Sequence, residues 1–138
     1  MVCVDGSEPS LKAANQAVDF AKSNSSQIIA LYVSYIPLSL RFKSREVLDA
    51  AHEFDLQEAR KWLQDIKKEA EDCHIDFKME VIETTSSTVQ SIVEYAEKGN
   101  MDLIIVGDKG RSKVERALLG STASGIINNA RCSVLVIK

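Results

Sequence analysis

The chain has 138 residues, of which 17 are Lys or Arg, 20 are Asp or Glu, and 45% are hydrophobic. That length is close to the roughly 150 residues of one domain, so we predict a single domain over residues 1–138 and exclude a multidomain assembly. The net charge of −3 provides no general electrostatic attraction to nucleic acid or to an acidic membrane surface. No apolar run approaches the roughly 20 residues that span a bilayer. We therefore expect a soluble cytoplasmic protein whose partners include neither nucleic acid nor a membrane.

Cysteine usage is sparse and shows no ligand spacing. Cys3, Cys73 and Cys132 are far apart, odd in number and without a CxxC pattern. This argues against a disulfide framework and against a zinc site. We expect inert thiols and no side-chain metal ligands.

Five apolar runs have the length of β-strands. They are residues 2–4, 28–33, 77–82, 103–106 and 134–137. Four of them are nearly continuous in apolar residues, which is typical of strands covered on both faces of a parallel sheet. Only the run that begins at Phe77 alternates with polar residues, so we predict that it is an edge strand.

Segments with helical spacing of apolar residues fill the gaps between these runs. Leu11, Ala14 and Val18 mark the first helix, and the long second one includes Trp62. Ser87 precedes Gln90 by three residues in a capping-box pattern, and Gly99 is placed to end the third helix. The order β-α-β-α-β-α-β-α-β predicts an α/β layered sheet with right-handed crossovers.

The connection over residues 34–44 is too long for a simple turn. It contains Pro37, large apolar residues and the basic Arg41 and Lys43. Two interpretations stay open: a solvated surface loop, or a flap near the carboxyl ends of the strands, where α/β folds carry ligand contacts.

Three of the six glycines lie close together in a context that suits an anion. Gly107 directly follows a buried strand, and Gly120 precedes Ser121 and Thr122 at the start of a helical segment. Glycine lets backbone amides approach phosphate oxygens, and a helix N-terminus offers unpaired N–H groups with partial positive charge. Each glycine alone would suit an ordinary turn. The three together predict an anion site that is neither a Walker A loop nor a GxGxxG fingerprint.

The spacing Gly-x2-Gly-x9-Gly-Ser, formed by Gly107, Gly110, Gly120 and Ser121, resembles the signature of the universal stress protein family in its ATP-binding branch. The resemblance extends from the opening residues 2–8, with Asp5-Gly6-Ser7, to the closing residues 132–136. It implies a single-domain, Rossmann-like open parallel sheet of five strands in the order 3-2-1-4-5, with helices on both faces. Strands one and four then flank a topological switch point, where ligands of such sheets bind.

The resemblance also implies a role for eight residues around an adenine nucleotide. ATP with Mg2+ is the expected cofactor, and no metal-ligating side chain is assigned. Asp108 and Lys109 depart from the family's usual residues, and we expect Asp108 to face solvent. The adenine base would contact Asp5 and Val33, and the ribose and phosphates would contact Val106 and Gly107. The phosphate chain would be held by Gly110, Gly120, Ser121 and Thr122.

No residue is predicted to be catalytic, because His52 and His74 both fall in or at the end of the second helix, far from the glycines. We therefore predict a nucleotide-dependent regulatory or stress-response switch with at most weak ATPase activity. The alternative is a nucleotide-independent dimeric interaction module of the same fold. The apolar last strand, residues 133–137, would lie at a sheet edge and predicts a homodimer. Whether ATP, AMP or a cyclic nucleotide binds, and which protein partner responds, stays open.

Overall fold

A computed structural model describes residues 1–36, 44–111 and 119–138. Strands and helices alternate along the chain, and the five strands form one parallel sheet in the order β3-β2-β1-β4-β5. This confirms the predicted fold class and strand order. The elements are β1 (Val2–Cys3), α1 (Glu8–Asn24), β2 (Ile28–Tyr35), α2 (Arg45–Asp72), β3 (Phe77–Thr84), α3 (Thr88–Lys98), β4 (Leu103–Gly107), α4 (Ser121–Asn129) and β5 (Ser133–Ile137).

The helices cover both faces of the sheet, and each face has its own apolar core. One core joins α1 and α2 to the sheet through side chains such as Val18, Leu63 and Ile105. The other joins α3 and α4 to the opposite face through side chains such as Ile92 and Ile126. Residues of β2 alternate between these two cores, as the pleat of a strand requires. The face that carries α3 and α4 also holds the cavity described below.

Local capping explains where the helices begin and end. The Ser7 hydroxyl accepts from the Ser10 amide at the start of α1, and the Ser87 hydroxyl accepts from the Gln90 amide at the start of α3. Gly99 ends α3 as predicted, but its φ is −86°. Asn100, with φ of +48°, adopts the left-handed conformation instead.

The two sheet edges differ in character. β3 lies at one edge, as its alternating sequence predicted, and β5 lies at the other. The long connection after β2 falls mostly on residues 37–43, which lie outside the described residues, so its two interpretations stay as they were. Within the described ranges, no helix is long and apolar enough to cross a membrane.

Candidate functional site

A cavity of about 260 Å³ opens where β1 and β4 end, at the predicted switch point. The structure brings all eight predicted residues to its wall: Asp5, Val33, Val106, Gly107, Gly110, Gly120, Ser121 and Thr122. Ten residues outside that predicted set also line the cavity: Cys3, Val4, Ser10, Leu31, Thr88, Ile92, Asp108, Lys109, Arg111 and Ala123. The cavity therefore has an apolar floor, two acidic residues, Asp5 and Asp108, and a glycine-rich rim, a mixture typical of small-molecule sites.

Asp5 is held firmly by its neighbours. Its Oδ1 accepts from the Ser7 amide at 3.0 Å and from the Ser7 hydroxyl at 2.5 Å. Its Oδ2 accepts from the Arg111 amide at 3.2 Å. A carboxylate has about four acceptor positions, so roughly one, on Oδ2, remains for a ligand.

The glycines are required by contacts within the protein. A Cβ on Gly107 would lie 2.7 Å from the carbonyl carbon of Pro9, so β4 can pass the start of α1 only without a side chain. A Cβ on Gly110 would lie 2.7 Å from Asp5 Oδ2. At Gly120 the nearest atom would be the Asp108 carbonyl oxygen at 3.1 Å. The sequence argument had explained these glycines by the approach of phosphate, whereas here two of them permit close packing of the protein itself.

Backbone donors are divided between the fold and the rim. The Gly120 amide donates to the Asp108 carbonyl at 2.7 Å, and the Asp108 amide donates to the Ile137 carbonyl at 2.7 Å. The first three amides of α4, those of Ser121, Thr122 and Ala123, have no acceptor among the described residues. Unpaired amides at a helix N-terminus are suited to an anion.

Asp108, which the sequence analysis expects to face solvent, is a second acidic residue in the cavity wall. It is half-buried and lines the cavity together with Lys109. A negative side chain at this rim makes the loop less cationic than a phosphate site with Ser or Thr at that place.

The thiol in the cavity floor is inert. Burial raises the pKa of Cys3 to about 12, so the thiolate is not populated near neutral pH. The expectation of an inert, buried thiol is met at Cys3, while Cys73 is exposed and Cys132 is half-buried.

Arg111 follows the second glycine and extends away from the rim toward α2. Its Nε donates to the Asp5 carbonyl at 2.5 Å, and its guanidinium carbon lies 4.8 Å from the ring centroid of Trp62. The centroid of Tyr32 is 5.9 Å away. Burial raises the pKa of the Tyr32 phenol, Asp55 raises it further, and Arg111 opposes the shift. No sequence pattern predicts this cluster, because its members come from distant segments of the chain.

Neither histidine reaches the cavity. His52 lies on α2 with its Nδ1 2.9 Å from Glu83 Oε1, and His74 is exposed just after that helix. The described ranges contain no group of three or more His, Cys, Asp or Glu side chains that could hold a metal ion. The arrangement can bind and orient a polar ligand, and it places no histidine where general base catalysis would need one.

Comparison with known proteins agrees with this architecture. The family model described as Universal stress protein family matches residues 1–138. Universal stress protein MJ0531 from Methanocaldococcus jannaschii is 35% identical over 138 residues, which cover 100% of this chain and 80% of that protein. The solved structure of UspA from Lactobacillus plantarum superposes with a TM-score of 0.78 at 27% identity, covering 99% and 96% of the two chains.

A further solved structure shares the fold at lower identity. It is the universal stress protein from Archaeoglobus fulgidus in complex with dAMP, with a TM-score of 0.65, 19% identity, and coverage of 99% and 94%. At that identity the likeness carries the fold alone. The family match spans the whole chain, and the glycine spacing, the strand order and the cavity at the switch point all accord with it; the chain belongs to the universal stress protein family.

Proposed function

We propose that this protein binds an adenine nucleotide in the cavity between β1 and β4 and acts as a nucleotide-dependent regulatory switch rather than as an enzyme. One observation carries the proposal. Eight residues that are scattered along the sequence line a single cavity, and the N-terminus of α4 lies at its rim. The solved structure of a universal stress protein from Archaeoglobus fulgidus, which shares this fold, contains dAMP, an adenine nucleotide.

The two ends of the cavity suit the two ends of a nucleotide. Asp5 can accept a hydrogen from the adenine amino group, and Val33 offers an apolar wall to the ring. The amides and hydroxyls of Ser121 and Thr122 face the phosphates as donors.

Mg2+ fits this site only as a companion of the phosphates. No cluster of three ligating side chains occurs in the described parts of the chain. Mg2+ is commonly held by one or two protein oxygens together with phosphate oxygens and water. We propose that Ser121, Thr122 or Asp108 supplies at most such a contact, with ATP as the expected ligand and weak ATPase activity at most.

The last strand supports a homodimer. β5 pairs with β4 on one side, and Leu135 is 38% exposed. β3, at the opposite edge, carries charged side chains such as Lys78 and Glu80, whose ion pair measures 2.5 Å. Charges on an edge strand discourage pairing with another chain, so β5 is the edge that favours it. We propose a homodimer through β5 and keep the cytoplasm as its predicted location.

Mass spectrometry of the purified protein under native and denaturing conditions tests both proposals at once. We expect one adenine nucleotide per chain on a dimer, or micromolar binding of added ATP or AMP in a calorimetric titration. Asp5→Asn should weaken binding about tenfold, because it replaces an acceptor-only carboxylate with an amide. Asp72→Asn, at the exposed end of α2, is the matched control.

A different result would favour the alternative function. A dimer that neither carries nor binds any adenine nucleotide would indicate an interaction module of the same fold. In that case the glycine loop would be required only for packing, as the contacts of Gly107 with Pro9 already illustrate.

A further inference from the structure

Arg111 makes two contacts with the same residue, Asp5, through different parts of its structure. Its backbone amide donates to the Asp5 carboxylate at 3.2 Å, and its side-chain Nε donates to the Asp5 carbonyl at 2.5 Å. One contact orients the carboxylate and the other fixes the backbone that carries it. Arg111 therefore constrains Asp5 at both ends.

The guanidinium itself rests on a rigid aromatic surface. Its carbon lies 4.8 Å from the Trp62 centroid, a distance at which a cation is attracted to an aromatic face. Trp62 is fixed in turn by an edge-to-face contact with Tyr32, with centroids 5.4 Å apart and planes at 81°. The indole also packs against Gly6, where an added Cβ would lie 2.6 Å from the ring.

The contacts form a continuous connection from the rim of the cavity to α2. Gly110 passes so close to Asp5 Oδ2 that a Cβ would lie 2.7 Å from it, and Arg111 then reaches Trp62 on α2. Three separate segments meet at this one guanidinium: the loop after β4, the turn after β1, and α2. An arginine suits such a place because its planar group can stack and donate at once, which a lysine cannot do.

We propose that Arg111 is a positioning residue that holds the Asp5 carboxylate in the orientation that distinguishes adenine from a 6-oxo purine. The inference rests on the proposed function and adds to it the residue that sets base preference. The free acceptor position on Asp5 Oδ2 can take one hydrogen from the 6-amino group of adenine. Hypoxanthine presents an oxygen at that place, so a fixed carboxylate rejects it and a mobile one rejects it less.

The test compares dissociation constants of AMP and IMP by calorimetry for the wild type, Arg111→Lys and Arg111→Ala. Arg131→Lys is the matched control, because Arg131 is exposed and pairs with Glu97 at 3.2 Å, outside the cavity. We expect the wild type to prefer AMP and both Arg111 variants to lose about tenfold of that preference, the scale of one hydrogen bond to a charged group. The control should keep the preference of the wild type.

Fluorescence separates the possible failures, because Trp62 is the only tryptophan in the chain. Removing the Arg111 guanidinium from the face of the Trp62 ring should change the fluorescence emission of the unliganded protein. The control Arg131→Lys should leave the emission unchanged. If the wild type binds AMP and Arg111→Lys keeps the full preference, the positioning role is wrong while the proposed function stands. If the wild type binds neither nucleotide, both are wrong, whatever the emission shows. Should Arg111→Ala fail to fold, Arg111→Lys alone decides, since it retains the charge and the backbone amide.

Discussion

Alanine substitutions at the three motif glycines should show which of them the fold requires for stability and which nucleotide binding requires. In Gly110→Ala the new Cβ would lie 2.7 Å from Asp5 Oδ2, so the carboxylate must move about 0.7 Å to reach an ordinary contact at 3.4 Å. That carboxylate is held by Ser7 and by the Arg111 amide. Moving it would disrupt the hydrogen bond that we propose Asp5 makes to the nucleotide, and a hydrogen bond to a charged group is worth about 1.5–3 kcal/mol. Nucleotide affinity should therefore fall by about tenfold to a hundredfold.

The same substitution should lower stability less than it lowers affinity. Replacing Gly by Ala lowers the entropy of the unfolded chain and stabilises by about 0.4–1 kcal/mol, which offsets part of the strain. Gly107→Ala should behave in the opposite way, because its Cβ meets three atoms of Pro9 at 2.7–2.9 Å, two of them backbone. We expect that variant to lose about 1–3 kcal/mol in the free energy of unfolding, the usual scale of overpacking.

Urea unfolding and calorimetric titration of the three variants provide the comparison. Gly120→Ala should have the smallest effect of the three, since its Cβ would lie 3.1 Å from the nearest atom, the Asp108 carbonyl oxygen. If Gly110→Ala binds nucleotide with the affinity of the wild type, the Asp5 carboxylate does not form a hydrogen bond with the ligand. If Gly107→Ala unfolds at the wild-type urea concentration, the contact with Pro9 does not constrain β4.

Four further expectations concern other parts of the chain. Leu135→Lys places a charge on β5 and should give a monomer by light scattering, whereas a persistent dimer would exclude pairing through this strand. Burial raises the Cys3 pKa from 9.0 to about 12, so the unfolded chain loses this proton first and the free energy of unfolding should fall as pH rises between those values. Native protein at pH 8 should accordingly be alkylated at the exposed Cys73 and not at Cys3; labelling of both would contradict the burial. Ser34→Ala removes the donor to Asp55 and should cost about 1–2 kcal/mol in urea unfolding without changing nucleotide affinity, since Ser34 does not line the cavity.

The fold was predictable because its signals are local. Nearly continuous apolar runs separated by helical spacing predict a parallel α/β sheet, and the charged alternation after Phe77 identifies β3 as an edge. Serine caps at Ser7 and Ser87 mark helix starts for the same local reason. The left-handed residue after α3 could not be located so well, because Gly99 and Asn100 both tolerate that conformation and the choice depends on the chain that follows.

The position of the cavity was predictable from the sequence, while the contacts that require its glycines were not. A glycine spacing indicates that the backbone passes close to another group at these positions, but it does not identify that group as a ligand or as part of the protein. At Gly107 that neighbour is Pro9 at the start of α1, and at Gly110 it is the carboxylate of Asp5, more than a hundred residues earlier in the chain. Contacts between such distant segments depend on the sheet order that brings β1 beside β4. The motif is therefore a requirement of the fold first, and the proposed nucleotide would use the donors at the start of α4 that have no acceptor among the described residues.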